Sequence, residues 1–279
     1  MLAPHQLIFS ALEGALLDAR TDSFAGAEEA LWEIRRRNIA LVLLTTRTRE
    51  EIEPIRRKLE HSHPFVTENG GGIFFPDGYF SLRIPGVVRV ARYLSIAQGR
   101  PYAEVCEALD EIAEECAVGV AGFHHMSVRE IAANTGLHPR DAERARAREF
   151  DEPFYFTAAS EEAIARFTEA ARARGFEMRH DSAFWHLFSG CDPARAVRTL
   201  AQLFRKASHT KLRLIGIGSE EHDLPWLRAC DHAVFLPGAR EGGTPPEPGR
   251  KGPGRTGTVV MGDAPGAAGW NRTILNIIG

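Results

Sequence analysis

The chain is poor in lysine and cysteine and has no long apolar run. The four cysteines lack the spacing of a zinc site, and we expect them to be reduced. No apolar stretch approaches the ~18 residues that span a bilayer, and the N-terminus lacks the features of a signal peptide. With a net charge of −3, nothing favours a nucleic-acid or membrane partner, so we expect a cytoplasmic protein. The lysines, few enough to make a catalytic lysine scarce, are Lys58, Lys206, Lys211 and Lys251.

Strand and helix patterns alternate at both ends of the chain. Segment 6–12 is a short apolar run, which indicates a buried strand, and segment 39–46 is an unbroken run typical of a parallel strand buried on both faces. Amphipathic helix patterns follow them at 25–38 and 48–60, and the alternation returns from residue 190 onward. This order predicts a doubly wound parallel α/β sheet.

The middle of the chain mixes helices and strands without that regular alternation. It predicts an inserted α+β cap domain, which divides the chain into a first core part (1–82), the cap (83–189) and a second core part (190–279). The adjacent His124 and His125 are expected on a strand, where neighbouring side chains point to opposite faces and do not share a metal.

A segment rich in Gly, Pro and Arg occupies residues 237–257. This composition predicts a mobile surface loop, and a basic lip over an anionic ligand is the alternative.

Several segments together resemble one enzyme family. They are LIFSALEGALLD, LVLLTTRTREEI, HPFVTENGGGI, AREFDEPF, FWHLFSGCDPARAV, IGIGSEEHDLPWL and GAAGWNRTILNIIG. The chain resembles the mannosyl-3-phosphoglycerate phosphatases of the haloacid dehalogenase (HAD) superfamily. The resemblance implies a HAD core interrupted by a cap domain, with a phosphorylated sugar acid bound between them.

The catalytic positions implied by the resemblance are largely altered. Family members use an Asp nucleophile, a second Asp as acid and base, a Lys, and Mg²⁺ held by acids. Here the nucleophile position is Ala11, the acid/base position is Glu13 and the Lys position is Pro193. The principal metal ligand position is Ser219, and Asp223 remains as a weak metal ligand.

Other positions of the family's cleft are kept. Thr45 matches the hydroxyl that binds the phosphoryl group in the family. The residues expected to bind substrate are Thr45, Thr46, Arg47, Glu68, Asn69, His186 and Arg195.

Three functional hypotheses follow. The first is an inactive or impaired phosphatase relative that binds a phosphorylated or carboxylated sugar acid. The second is an active phosphomonoester hydrolase with rearranged machinery, in which Glu13 acts as general base, assisted by His222 or Asp223. The third is a structural or regulatory subunit with a protein partner. No cofactor is expected, and Mg²⁺ only if activity remains.

Overall fold

The structure is a computed structural model that describes residues 6–19, 21–181, 184–208, 210–238 and 258–279. Most of the segment predicted as a mobile loop therefore lies outside the described residues. The strands are β1 (Gln6–Ala11), β2 (Ala40–Leu44), β3 (Phe65–Thr67), β4 (Gly72–Pro76), β5 (Val88–Val90), β6 (Tyr93–Ala97), β7 (Gly119–Gly122), β8 (Asp151–Ala158), β9 (Glu177–Asp181), β10 (Phe184–Phe188), β11 (Arg213–Gly218), β12 (His232–Phe235) and β13 (Val259–Met261). The helices are α1 (Glu28–Arg36), α2 (Arg49–Lys58), α3 (Tyr102–Cys116), α4 (Val128–Thr135), α5 (Pro139–Arg146), α6 (Glu161–Ala173), α7 (Pro193–Ser208), α8 (Leu224–Leu227) and α9 (Gly266–Ile278).

A nine-stranded sheet forms the core, in the order β13-β12-β11-β1-β2-β3-β4-β6-β5. The strands from β13 to β3 in this order run parallel, and β4, β6 and β5 continue the sheet antiparallel. The central strands β1 and β2 are almost wholly buried, as their mostly apolar sequences predict. The predicted α/β core with a parallel sheet is confirmed.

A second, antiparallel sheet has the order β7-β8-β10-β9 and lies within the predicted cap. Helices α3 and α6 share a hydrophobic cluster with it, built around residues such as Leu109, Phe154 and Phe167. The hairpin 88–97 belongs to the core sheet, although the domain prediction placed it in the cap. Its strands are short and partly exposed, so they carry no clear sequence pattern. The division into three parts stays a prediction.

Helix caps fix the starts of two helices near the carboxyl ends of the strands. Thr48 and Glu51 form a reciprocal capping box at α2. At α7, Asp192 accepts a hydrogen bond from the backbone N–H of Arg195 (3.0 Å), and Pro193 is the first helical residue. The position expected for a Lys by resemblance therefore serves the helix start here.

The turn between β3 and β4 approaches the start of α7 closely. Gly70 has φ of +89°, and a Cβ at this position would lie 2.5 Å from the backbone nitrogen of Pro193. Only glycine fits both the left-handed backbone and this contact. The turn and the helix start are thus held together at one edge of the core sheet.

No helix in the described part of the chain is long and apolar enough to cross a membrane.

Candidate functional site

The first loop of the site begins where β1 ends. Ala11 is the last residue of the strand and is 6% exposed. The chain then makes one tight turn, in which Gly14 adopts a φ of +66°. This turn brings Glu13 over the carboxyl ends of β1 and β2, where ligand sites of open α/β sheets form.

The Glu13 carboxylate is bound by side chains of the loop after β2. Thr45 Oγ1 donates a hydrogen bond to Glu13 Oε1 (2.6 Å), and Arg47 Nε lies 2.9 Å from the same oxygen. The Arg47 guanidinium also pairs with both oxygens of Asp22, at 2.8 and 2.7 Å. We call Glu13, Asp22, Thr45 and Arg47 the Glu13 cluster. Burial raises the pKa of Glu13, although Arg47 and Thr45 act in the opposite direction.

The loop after β11 closes on itself and on the loop after β1. Ser219 Oγ donates to the backbone carbonyl of Glu13 (3.1 Å). One oxygen of Asp223 accepts the backbone N–H groups of Ser219 (2.9 Å) and Glu220 (3.0 Å), and the other accepts Trp226 Nε1 (3.0 Å). Asp223 is buried, and both of its oxygens hold the loop in shape.

A buried carboxylate joins the core sheet to the chain that enters β8. Glu68, in the turn after β3, accepts hydrogen bonds from the backbone N–H groups of Glu149 (3.0 Å), Phe150 (2.8 Å) and Asp151 (3.0 Å). Arg148 Nε lies 3.6 Å from it. Burial raises the pKa of Glu68 to about 7. Since Glu68 is fully buried, we interpret it as a structural link.

Asn69 and His186 belong to the same polar network as Glu68. We call this network the junction network, and its members are Glu68, Asn69, Arg148, Asp151, Arg179, Asp181 and His186. Asn69 donates to Asp151 Oδ2 (3.2 Å) and accepts from Arg179 (2.7 Å). His186 Nδ1 lies 3.2 Å from Asp151 Oδ2, and its Nε2 lies 3.0 Å from Asp181 Oδ2. Burial disfavours the charged imidazole, but the two carboxylates prevail and raise the pKa of His186 to about 9.

Two of the expected ligand residues have other contacts. The Thr46 carbonyl accepts a hydrogen bond from Arg148 (3.4 Å). Arg195 donates to the side chain (2.6 Å) and carbonyl (3.0 Å) of Gln98 and to the carbonyl of Gly190. The role of Arg195 as a ligand residue stays a prediction.

The structure brings most of the expected residues into two neighbouring groups. The first group is Glu13, Thr45, Arg47, Ser219 and Asp223, and the second is Glu68, Asn69 and His186. The backbone N–H of Asn69 donates to the Thr45 carbonyl (3.3 Å), which joins the Glu13 cluster to the junction network. Sequence reasoning assigned no role to Asp22, Arg148, Asp151 or Arg179. Two of these, Arg148 and Asp151, lie within the segment REFDEPF that carried the resemblance, so a signal was present.

We expect His186 to make stability fall as the pH rises. Its folded pKa of about 9 lies above the ordinary 6.5, so its stabilising contribution is complete below about pH 6.5 and is lost as the pH passes through about 9. Urea unfolding of the chain and of His186→Gln between pH 6 and 10 measures this, and the variant should show a flatter profile.

The exposed His180 on the neighbouring strand provides a matched control, because His180→Gln changes the same side chain outside the buried pair. Equal pH slopes for the chain and for His186→Gln would rule out this role of His186.

Comparison with solved structures defines the class of protein. A haloacid dehalogenase-like hydrolase from Bacteroides thetaiotaomicron superposes with a TM-score of 0.62 at 16% identity, covering 98% of this chain and 99% of that one. At this identity the likeness shows the fold alone, which is the HAD fold. No family model matches the chain.

Two curated relatives define the family. A glucosyl-3-phosphoglycerate/mannosyl-3-phosphoglycerate phosphatase from Methanococcoides burtonii is 31% identical, covering 98% of this chain and 97% of the relative. One of the same description from Persephonella marina is 32% identical with the same coverage. The chain belongs to this phosphatase family of the HAD superfamily, which confirms the resemblance.

Proposed function

We propose that this chain has lost the two-step hydrolysis of its family and binds a phosphorylated or carboxylated sugar acid. The observation that carries the proposal is the methyl group of Ala11 at the carboxyl end of β1, the position that the family resemblance assigns to the nucleophile. A methyl group cannot attack phosphorus or form a covalent intermediate.

The donor set at the cleft does not fit Mg²⁺. This ion needs hard oxygen ligands in near-octahedral geometry, usually with one or two carboxylates. Here the Glu13 carbonyl accepts the Ser219 hydroxyl, and both Asp223 oxygens accept N–H groups. The positions that the resemblance assigns to the nucleophile and to the principal metal ligand hold Ala11 and Ser219, so of the metal-binding acids only Asp223 is kept, and its oxygens hold the loop. We therefore propose that Mg²⁺ has no place in the function of this cleft.

The Glu13 carboxylate occupies the donors that an anionic ligand needs. Thr45 Oγ1 and Arg47 Nε both point at one Glu13 oxygen, and the Glu13 side chain is 32% exposed at the mouth of this cluster. A phosphate or carboxylate entering here meets a hydroxyl and a guanidinium, groups well suited to bind it, but it must first displace Glu13. Glu13 thus acts as an internal competitor for the ligand.

Removal of Glu13 is expected to tighten anion binding. Two unit charges about 4 Å apart interact by roughly 4 kcal/mol near a protein surface, and partial exposure reduces this. We expect Glu13→Ala to bind 3-phosphoglycerate and mannosyl-3-phosphoglycerate about tenfold more tightly, since tenfold corresponds to about 1.4 kcal/mol. Isothermal titration calorimetry measures the affinity of both proteins.

Glu107→Ala is the matched control, because it removes a carboxylate of equal charge from an exposed position on α3. It should leave the affinity unchanged. If neither ligand binds the chain or Glu13→Ala, the proposal of a sugar-acid site fails and a structural or regulatory role is favoured.

The raised pKa of Glu13 favours a second candidate, an active hydrolase in which Glu13 is the general base. A base works best when its pKa lies near the operating pH. This candidate requires that highly purified protein release inorganic phosphate and that Glu13→Gln abolish the release. The first proposal requires that neither protein release phosphate above background.

A further inference from the structure

A cluster of metal-ligating side chains lies in the predicted cap, away from the Glu13 cluster. Cys106 on α3, His124 in the turn after β7 and Glu152 on β8 place one ligand atom each within 4.8 Å of one another. The sequence expectation for the histidine pair is wrong: His124 and His125 lie in a short 3₁₀ turn, with ring centroids 3.7 Å apart. Neighbouring residues in such a turn are free from the alternation of a strand.

The carboxylate of this cluster is buried and held in place. Glu152 is fully buried, and its Oε1 accepts the backbone N–H of His124 (3.0 Å) and lies 2.7 Å from His124 Nδ1. Its other oxygen accepts the hydroxyl of Tyr102 (2.5 Å). A carboxylate oxygen has two lone pairs, so Oε1 can keep the backbone hydrogen bond and still ligate a metal.

Asp110 orients the His124 ring by contacting its second nitrogen. His124 Nε2 lies 3.3 Å from Asp110 Oδ2, one helical turn beyond Cys106 on α3. Histidine ligands of metals almost always donate their other N–H to a carboxylate or carbonyl, which fixes the ring and its tautomer. Asp110 supplies this partner for His124, as Tyr102 does for Glu152.

We propose that Cys106, His124 and Glu152 form a zinc-type site for a divalent transition metal. A thiolate, an imidazole and a carboxylate are the ligands that zinc uses, and three protein ligands leave a fourth tetrahedral position for water. The thiolate and imidazole disfavour Mg²⁺ and Ca²⁺. Binding of the ion displaces two protons, one from His124 Nδ1 and one from the Cys106 thiol, and both are released to solvent.

A second set of metal-ligating side chains shares His124 with the proposed site. Asp110, His124 and His125 also place their ligand atoms within 4.8 Å of one another. In this set Asp110 is 50% exposed and His125 is 41% exposed, and there is no buried ligand to anchor the ion. The set with Glu152 has that anchor and the thiolate, so the observations favour it.

Metal titration of the purified full-length chain tests the site. After dialysis against zinc, elemental analysis is expected to find about one ion per chain, and Co²⁺ is expected to give a thiolate-to-cobalt charge-transfer band. Cys106→Ser should remove the band and weaken binding more than about 100-fold, because even residues behind the ligands contribute about 10–100-fold. Tyr102→Phe should weaken binding by about 10-fold or more.

Two control variants keep the test specific. Cys116→Ser changes the other cysteine of α3, and His125→Ala removes a ligand of the second set only. Both should bind zinc as the unmodified chain does, with circular dichroism confirming that every variant is folded. Binding that survives Cys106→Ser, loss of binding in His125→Ala, or no stoichiometric binding at all would each overturn the proposal.

Discussion

We expect magnesium-dependent hydrolysis of mannosyl-3-phosphoglycerate to appear when the lost groups are restored together. The variant carries four substitutions: Ala11→Asp, Glu13→Asp, Pro193→Lys and Ser219→Asp. Phosphate release should rise at least about 10³-fold above the unmodified chain, because loss of a nucleophile commonly costs several powers of ten. A continuous assay of inorganic phosphate on freshly purified protein measures this.

The structure explains why restoring the nucleophile alone should fail. With only Ala11→Asp, the Ser219 hydroxyl still occupies the Glu13 carbonyl, and the Glu13 carboxylate still occupies Thr45 and Arg47. Groups that act as one catalytic unit do not contribute additively. Ala11→Asp alone is therefore expected to stay at background.

The matched control for the fourfold variant has Asn at position 11 in place of Asp. Asn is close in shape but is not a nucleophile, so this control should be inactive. Equal activity of the two variants, or an inert fourfold variant, would contradict the view that the family's cleft is otherwise intact.

The second large effect is expected for the buried Arg148. Its guanidinium pairs with Asp151 and lies near Glu68, and its side chain is only 5% exposed. Arg148→Met leaves the buried Glu68 without its cation and leaves Asp151 paired with His186, and breaking a buried pair in this way typically costs about 3–5 kcal/mol. Urea unfolding should show a loss of this size in the free energy of unfolding.

Arg172→Met is the control, because Arg172 makes an ion pair with Glu169 in which both side chains are 72% exposed. Exposed pairs contribute about 0–1 kcal/mol. If the two variants lose the same stability, the junction network does not hold the fold as we describe.

The core could be predicted because its elements carry local signals. The buried strands β1 and β2 are mostly apolar runs, and Thr48, Asp192 and Pro193 mark helix starts through their own chemistry. The hairpin β5–β6 carries no such signal, because its strands are short and partly exposed.

The sites were harder to predict, because they depend on contacts between distant segments. The placement of Glu13 against Thr45 follows from two parallel strands ending at one edge, which a fold class supplies. The hydrogen bonds from the chain that enters β8 to Glu68 join segments that are distant in the sequence. The proximity of Cys106 and Glu152 likewise arises only in the folded chain. The spacing of these residues along the sequence does not predict such contacts.

The hydrogen bonds that three consecutive N–H groups donate to Glu68 also limit how the cleft can open. While these hydrogen bonds last, the peptide units of residues 149–151 cannot slide relative to the end of β3. Any movement of the second sheet relative to the core sheet must therefore keep this segment in place or break the three hydrogen bonds.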